Sequence, residues 1–155
     1  MIIREATPKD LDSIWDLILG LAEYEKASDQ VKTTKEQIGK SLFEEDVAKC
    51  HVAEIDGEVI GIAQWFLNYS TWTGVPGIYL EDLFVKPEFR GKGAGLALMK
   101  ELARICVEKG YARFQWWVLD WNEPSINFYK KLGAVPMDEW TVYRLSGEAL
   151  EKFAR

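Results

Sequence analysis

The run from Tyr79 to Leu98, YLEDLFVKPEFRGKGAGLAL, limits the folds open to this chain more than any other segment. Tyr79, Leu80, Leu83, Phe84 and Val85 are apolar or β-favouring, Pro87 ends that run, and an apolar helical period begins at Leu96, so the spelling is strand, loop, helix. Glycines at 91, 93 and 95 permit close backbone approach and positive φ in the loop. The helix that follows opens with amide N–H groups that lack intrahelical acceptors and carry the positive end of the helix dipole. Such a loop suits an anion, most commonly a phosphate. Lys86, Arg90 and Lys92 add a local cationic cluster to a chain whose net charge is −6. A glycine-rich left-handed turn that holds no ligand is the competing reading.

Two familiar phosphate motifs do not fit. A P-loop needs Lys-Ser or Lys-Thr after its last glycine, and Leu96 follows Gly95; the dinucleotide fingerprint needs a third glycine where Leu96 stands. What remains is Arg90-x-x-Gly93-x-Gly95 between a strand and a helix. That pattern resembles the acetyl-CoA pyrophosphate loop of the GNAT acetyltransferase superfamily.

With 155 residues, 48% of them hydrophobic and 13% aromatic, the chain reads as one domain, residues 1–155, able to bury a substantial core. Its acidity disfavours a nucleic-acid binder, which grips phosphates mainly through Lys and Arg. It suits a cationic small substrate, or simply a solvated surface. Cys50 and Cys106 form no spacing motif and read as buried thiols of a reducing compartment; His51 is the only histidine, so no metal site is expected. The absence of a signal peptide or membrane-spanning run points to a cytoplasmic enzyme with no membrane partner.

Taken in order, Ile2–Glu5 reads as a strand, and Thr7-Pro8-Lys9-Asp10 starts a helix whose apolar face is Leu11, Ile14, Trp15, Ile18, Leu21 and Ala22. A second helix is capped by Thr33 or Thr34 and presents Ile38, Leu42 and Phe43. Cys50–Ile55 and Glu58–Phe66 form a hairpin around Asp56-Gly57, and residues 68–77 form a loop carrying Trp72. Beyond the organising stretch come a helix ended by Gly110, a strand from Arg113 to Leu119, a helix started by Asn122-Glu123-Pro124-Ser125 and ended by Gly133, a last strand over residues 140–145, and a terminal helical turn. A hairpin followed by strand–helix alternation makes this an α/β (α+β) protein with a mixed, mostly antiparallel central sheet and helices on both faces. That order matches the GNAT fold.

Two segments resemble a narrower group. Tyr79-Leu80-Glu81-Asp82-Leu83-Phe84-Val85 and Trp121-Asn122-Glu123-Pro124-Ser125-Ile126-Asn127-Phe128-Tyr129-Lys130 are similar to segments of the diamine (spermidine/spermine) acetyltransferase family, which includes thialysine-acetylating members. The resemblance implies an N-acetyltransferase that moves an acetyl group from acetyl-CoA to a primary amine of a small cationic molecule, polyamine or diamine, in a ternary complex. It also implies a homodimer. An amino acid such as thialysine, or a protein amine, is the alternative acceptor, and an acyl-CoA-binding regulator is the non-enzymatic alternative.

The chemistry asks for alignment of amine and thioester, removal of a proton from an ammonium, stabilisation of a developing oxyanion and protonation of a thiolate. By resemblance, Tyr129 is the proton donor to the coenzyme A sulfur, and a phenol of pKa near ~10 can serve a thiolate in that way. Glu81 is the family's contact to the ammonium and the acceptor of its proton through water. Adjacent strand residues point to opposite faces, so Glu81 and Asp82 share a side only if a bulge intervenes. The resemblance also implies that Leu83, Phe84 and Val85 offer backbone groups to the pantetheine arm and that Arg90, Gly91, Lys92, Gly93, Ala94, Gly95 and Leu96 hold the pyrophosphate. Asn122 and Ser125 resemble coenzyme-side contacts, with a helix cap as their plain alternative. The resemblance implies an acceptor side formed by Tyr24, Glu25, Glu81 and Asp82, the strand residues Gln115, Trp116 and Trp117, and Asp138 or Glu139 near a family acidic position. The bulky strand Phe114-Gln115-Trp116-Trp117-Val118 and the loosely matching residues 134–140 depart from the polyamine pattern. Of Trp116 and Trp117, one should face the core and the other the site or a partner.

Overall fold

The computed structural model describes residues 1–155, which fall into two units, Met1–Trp117 and Val118–Arg155. The first unit runs β1 (Ile2–Glu5), α1 (Leu11–Tyr24), α2 (Lys35–Phe43), β2 (Lys49–Ile55), β3 (Glu58–Ser70), β4 (Val75–Val85), α3 (Ala94–Lys109) and β5 (Phe114–Trp116). The second holds α4 (Glu123–Lys131) and α5 (Gly147–Phe153).

Local signals explain most boundaries. Asp56 (φ 51°) and Gly57 (φ 83°) are both left-handed, the backbone that a two-residue turn needs to match strand twist, and they join β2 to β3. Thr7 and Asp10 form a capping box around a short 3-10 turn at Pro8–Asp10, and α1 continues from it. Asp10 also takes two hydrogen bonds from Arg4, which holds its carboxyl down at about 2, well below the usual range. Thr34 caps α2 by accepting from the Gln37 N–H, and Gly110 at φ 70° closes α3.

The five strands lie in sequence order, antiparallel except that β5 runs parallel to β4. Register fixes which residues share a face, because directly opposed side chains point to the same side. Val52, Ile62 and Phe84 are opposed across β2, β3 and β4, and they join Ile14, Leu17 and Leu42 in one buried cluster, so α1 and α2 cover that face. Ala53, Gly61 and Val85 occupy the other face; a Cβ on Gly61 would meet the Leu98 side chain at 3.6 Å, which puts α3 there. The sheet therefore carries helices on both faces, as the alternation of elements implies. Ile14, Leu17, Ile62, Leu98 and Leu102 are at most 2% exposed, and each such side chain contributes roughly 1.5–3 kcal/mol on burial.

Two expectations are corrected. Residues 68–77 are not a loop: β3 and β4 continue their ladder through Asn68↔Gly77, Tyr69↔Pro76 and Ser70↔Val75, leaving a short turn closed by the Gly74 N–H on the Ser70 carbonyl. Side-chain alternation continues through this stretch, and pairing with a neighbour overrides the turn-forming glycine and proline. Residues 140–145 form no strand, because β propensity becomes a strand only against a partner ladder, and this segment has none. Both cysteines are buried and free, their thiols donating to the carbonyls of His51 and Arg113.

Candidate active site

The condition set for Glu81 and Asp82 is met. Gln64 is opposed to Asp82 and the next residue, Trp65, to Leu80, so Glu81 is an extra residue on β4, a β-bulge. The bulge resets alternation. Tyr79 pairs with Phe66 and Asp82 with Gln64, and both fall on the face that carries α1. Glu81 stands exposed at the bulge.

Along that face, beyond the cover of α1, lies a row of polar and aromatic side chains. The Phe66 and Tyr79 rings are 5.1 Å apart, and Trp117 meets Tyr79 edge-on at 5.9 Å. Gln115 is opposed to Tyr79 and accepts from Asn68 at 3.1 Å. Trp116 belongs to the opposite face, opposed to Leu80 and edge-on to Phe114 at 4.9 Å, so the two adjacent tryptophans divide as expected. Trp117, 57% exposed, is the one on the site side. Tyr24 and Glu25 reach this side because α1 ends there: Lys26 turns left-handed (φ 57°) and the Ala27 N–H closes on the Ala22 carbonyl.

Three carboxyl groups thus gather near the bulge. Burial is the main reason the Asp82 carboxyl is pushed from 3.8 up to about 7, with repulsion from Glu81 and then Glu25 adding to it. Burial also raises Glu25, and burial followed by the Glu81 charge raises the Tyr79 phenol. Asp82 consequently carries a cost to folding. Below pH 3.8 folded and unfolded chains both hold its proton; between 3.8 and about 7 only the folded chain does, so its contribution to stability falls as pH rises through that window and is constant above it. Asp82→Asn should therefore raise Tm at pH 8, by about 3 °C for each kcal/mol relieved, with the gain fading toward pH 4 in thermal melts.

The loop meets the requirements of an anion cradle. Gly91 (φ 76°) and Gly93 (φ 84°) are both left-handed, and a Cβ at either would meet nothing within 4 Å. Gly93 caps α3 with no side-chain cap bond, so the amides of Ala94, Gly95 and Leu96 open the helix without an intrahelical acceptor. Arg90 stands at the mouth of the loop with its own contacts. Its Nε donates to the Val85 carbonyl, and its guanidinium stacks over the rings of Tyr24 (5.0 Å) and Phe84 (5.3 Å). Lys92 lies over the Phe89 ring at 5.0 Å. On β4 itself, β5 pairs only with Ile78–Leu80, so the backbone of Glu81–Val85, including Leu83 and Phe84, has no partner strand on that edge. No group of three or more His, Cys, Asp or Glu side chains is arranged to hold a metal.

Residues 11–134 match the family model described as Acetyltransferase (GNAT) family. The chain belongs to the GNAT acetyltransferase family. This acetyltransferase is 42% identical to the thialysine N-epsilon-acetyltransferase of Sus scrofa over 99% of its own length and 97% of that protein's. It is 34% identical to the Caenorhabditis elegans protein of that name, across 98% and 96% of the two chains. Among solved structures, an integron cassette protein from the mobile metagenome of V. cholerae superposes with a TM-score of 0.81 at 27% identity, covering 99% and 97% of the chains.

In the second unit of the acetyltransferase, Asn122 accepts from the Ser125 N–H and caps α4, with Pro124 in the first turn. That fulfils their structural alternative without touching the coenzyme reading. Tyr129 lies in the same helix, its ring 5.5 Å from that of Phe128. Asp138 is an exposed turn residue. The residues that sequence reasoning passed over are Gln64, Asn68 and Tyr79. Gln64 carried a usable signal, since it is the one amide inside the apolar run Val59–Phe66.

Proposed function

We propose that this enzyme transfers an acetyl group from acetyl-CoA to the primary amine of a small cationic acceptor in a direct ternary complex. The observation that carries the reading is the set of carboxyl groups, Glu25, Glu81 and Asp82, gathered around the β4 bulge and rimmed by Tyr24, Tyr79 and Trp117. Anionic and aromatic groups together suit an ammonium. End-to-end similarity to thialysine N-epsilon-acetyltransferases makes the side-chain amine of thialysine the first acceptor to test, ahead of spermidine or putrescine.

The chain's own groups divide the work. The glycine cradle and the first amides of α3 hold the diphosphate, and the open β4 edge from Leu83 to Val85 pairs with the pantetheine arm. Glu81 takes the ammonium proton through water, the free amine attacks the thioester carbonyl, and the Tyr129 phenol protonates the departing thiolate. The family resemblance carries the expectation of a homodimer, which sizing chromatography tests. An assay of coenzyme A release over thialysine, lysine, ornithine, putrescine and spermidine tests the reading. Turnover of at least one diamine is expected, and no release with any of them overturns it.

A further inference from the structure

Gln64 is 7% exposed, and its buried Nε2 has no hydrogen-bond partner. A buried amide nitrogen left unpaired is costly, so native structures retain one only where something else offsets it. Its surroundings show what it can serve. Gln64 is opposed to Asp82 on β4, their Cβ atoms standing the ~4.5–5.5 Å apart of a direct cross-strand pair. It is equally opposed to Cys50 on β2, whose thiol donates to the His51 carbonyl and whose sulfur is only a weak acceptor.

We infer that Gln64 is a positioning residue for the acceptor amine: its Nε2 donates to the Asp82 carboxylate when the substrate ammonium docks against that carboxylate, fixing Asp82 as the anion that orients the amine. This rests on the amine-acetylating function proposed above. The titratable groups that act on Asp82 or feel its charge are Glu81 on its own strand, Glu25 from the end of α1 and the Cys50 thiol from β2; the Arg90 guanidinium is engaged over the Phe84 ring. Both carboxylates favour the protonated form of Asp82. A donor is therefore needed to hold the anion, and Gln64 is the neutral donor in direct register with it.

Gln64→Met keeps the stem length and deletes the amide. Carbon-13 NMR of the aspartate carboxyls, recorded at saturating amine with Asp82 assigned through Asp82→Asn, should show Asp82 of the amine-bound enzyme titrating about one pH unit higher in Gln64→Met, and the amine KM should rise roughly tenfold, the scale of one lost hydrogen bond to a charged group. The acetyl-CoA KM should stay within about twofold, because the diphosphate cradle is untouched. Combined with Asp82→Asn, Gln64→Met should add nothing further to the amine KM, which a packing role alone would not produce. Should Gln64→Met fold poorly, Gln64→Leu provides the same comparison. An unchanged Asp82 titration, or an unchanged amine KM in an active variant, overturns the inference. A wild-type enzyme that acetylates no amine overturns the function reading instead.

Discussion

Tyr129→Phe should lower kcat by roughly 10²–10³ and leave acetyl-CoA affinity within about twofold, the loss expected when a positioned general acid is removed. The substitution deletes only the phenolic oxygen. The ring stays beside Phe128, and the Tyr129 carbonyl still accepts from the Leu132 and Ala134 N–H groups that finish the helix, so α4 keeps its geometry. A binding role would show in the dissociation constant, and a proton-transfer role shows in turnover. Calorimetric titration with acetyl-CoA beside steady-state rates separates them. Wild-type turnover in this variant would remove Tyr129 from the mechanism.

Glu81→Gln should cut kcat/KM for the amine about a hundredfold, through loss of an ammonium contact and of the proton acceptor. It has a second consequence of definite sign. The Glu81 charge is one of the causes that raise Asp82, after burial, so its neutralisation lets Asp82 ionise at lower pH. The acid limb of the pH–rate profile should move downward while the residual rate falls. Burial persists, so the limb does not return to 3.8. An amine KM and a pH profile that both match the wild type would reject the assignment.

How much of this could be read from the residues depends on whether a feature is local. The I′ turn at Asp56-Gly57, the caps at Thr34 and Asn122, and the left-handed Gly91 and Gly93 each arise from a few neighbouring residues, and the spelling of those residues announced them. The bulge at Glu81 was legible only as a condition on the Glu81-Asp82 pair. It exists as a mismatch of count between β3 and β4, and the sequence of β4 alone, with its Glu81-Asp82 doublet between apolar runs, cannot fix that count. The stacking of Arg90 on Tyr24 shows the same limit, since it depends on where α1 ends in space. The 140–145 strand failed for the same reason, since no partner ladder can be inferred from the segment itself.

The state of the two cysteines bears on how the enzyme can be followed at the bench. Burial raises both thiols above their ordinary value, most strongly Cys50, and each is occupied with a backbone carbonyl. Disulfide dyes react with thiolates, so native protein should scarcely colour them near neutral pH. Absorbance in a dye-coupled turnover measurement then counts released product rather than the catalyst's own sulfur, and storage without a reducing agent should leave the chain unaltered.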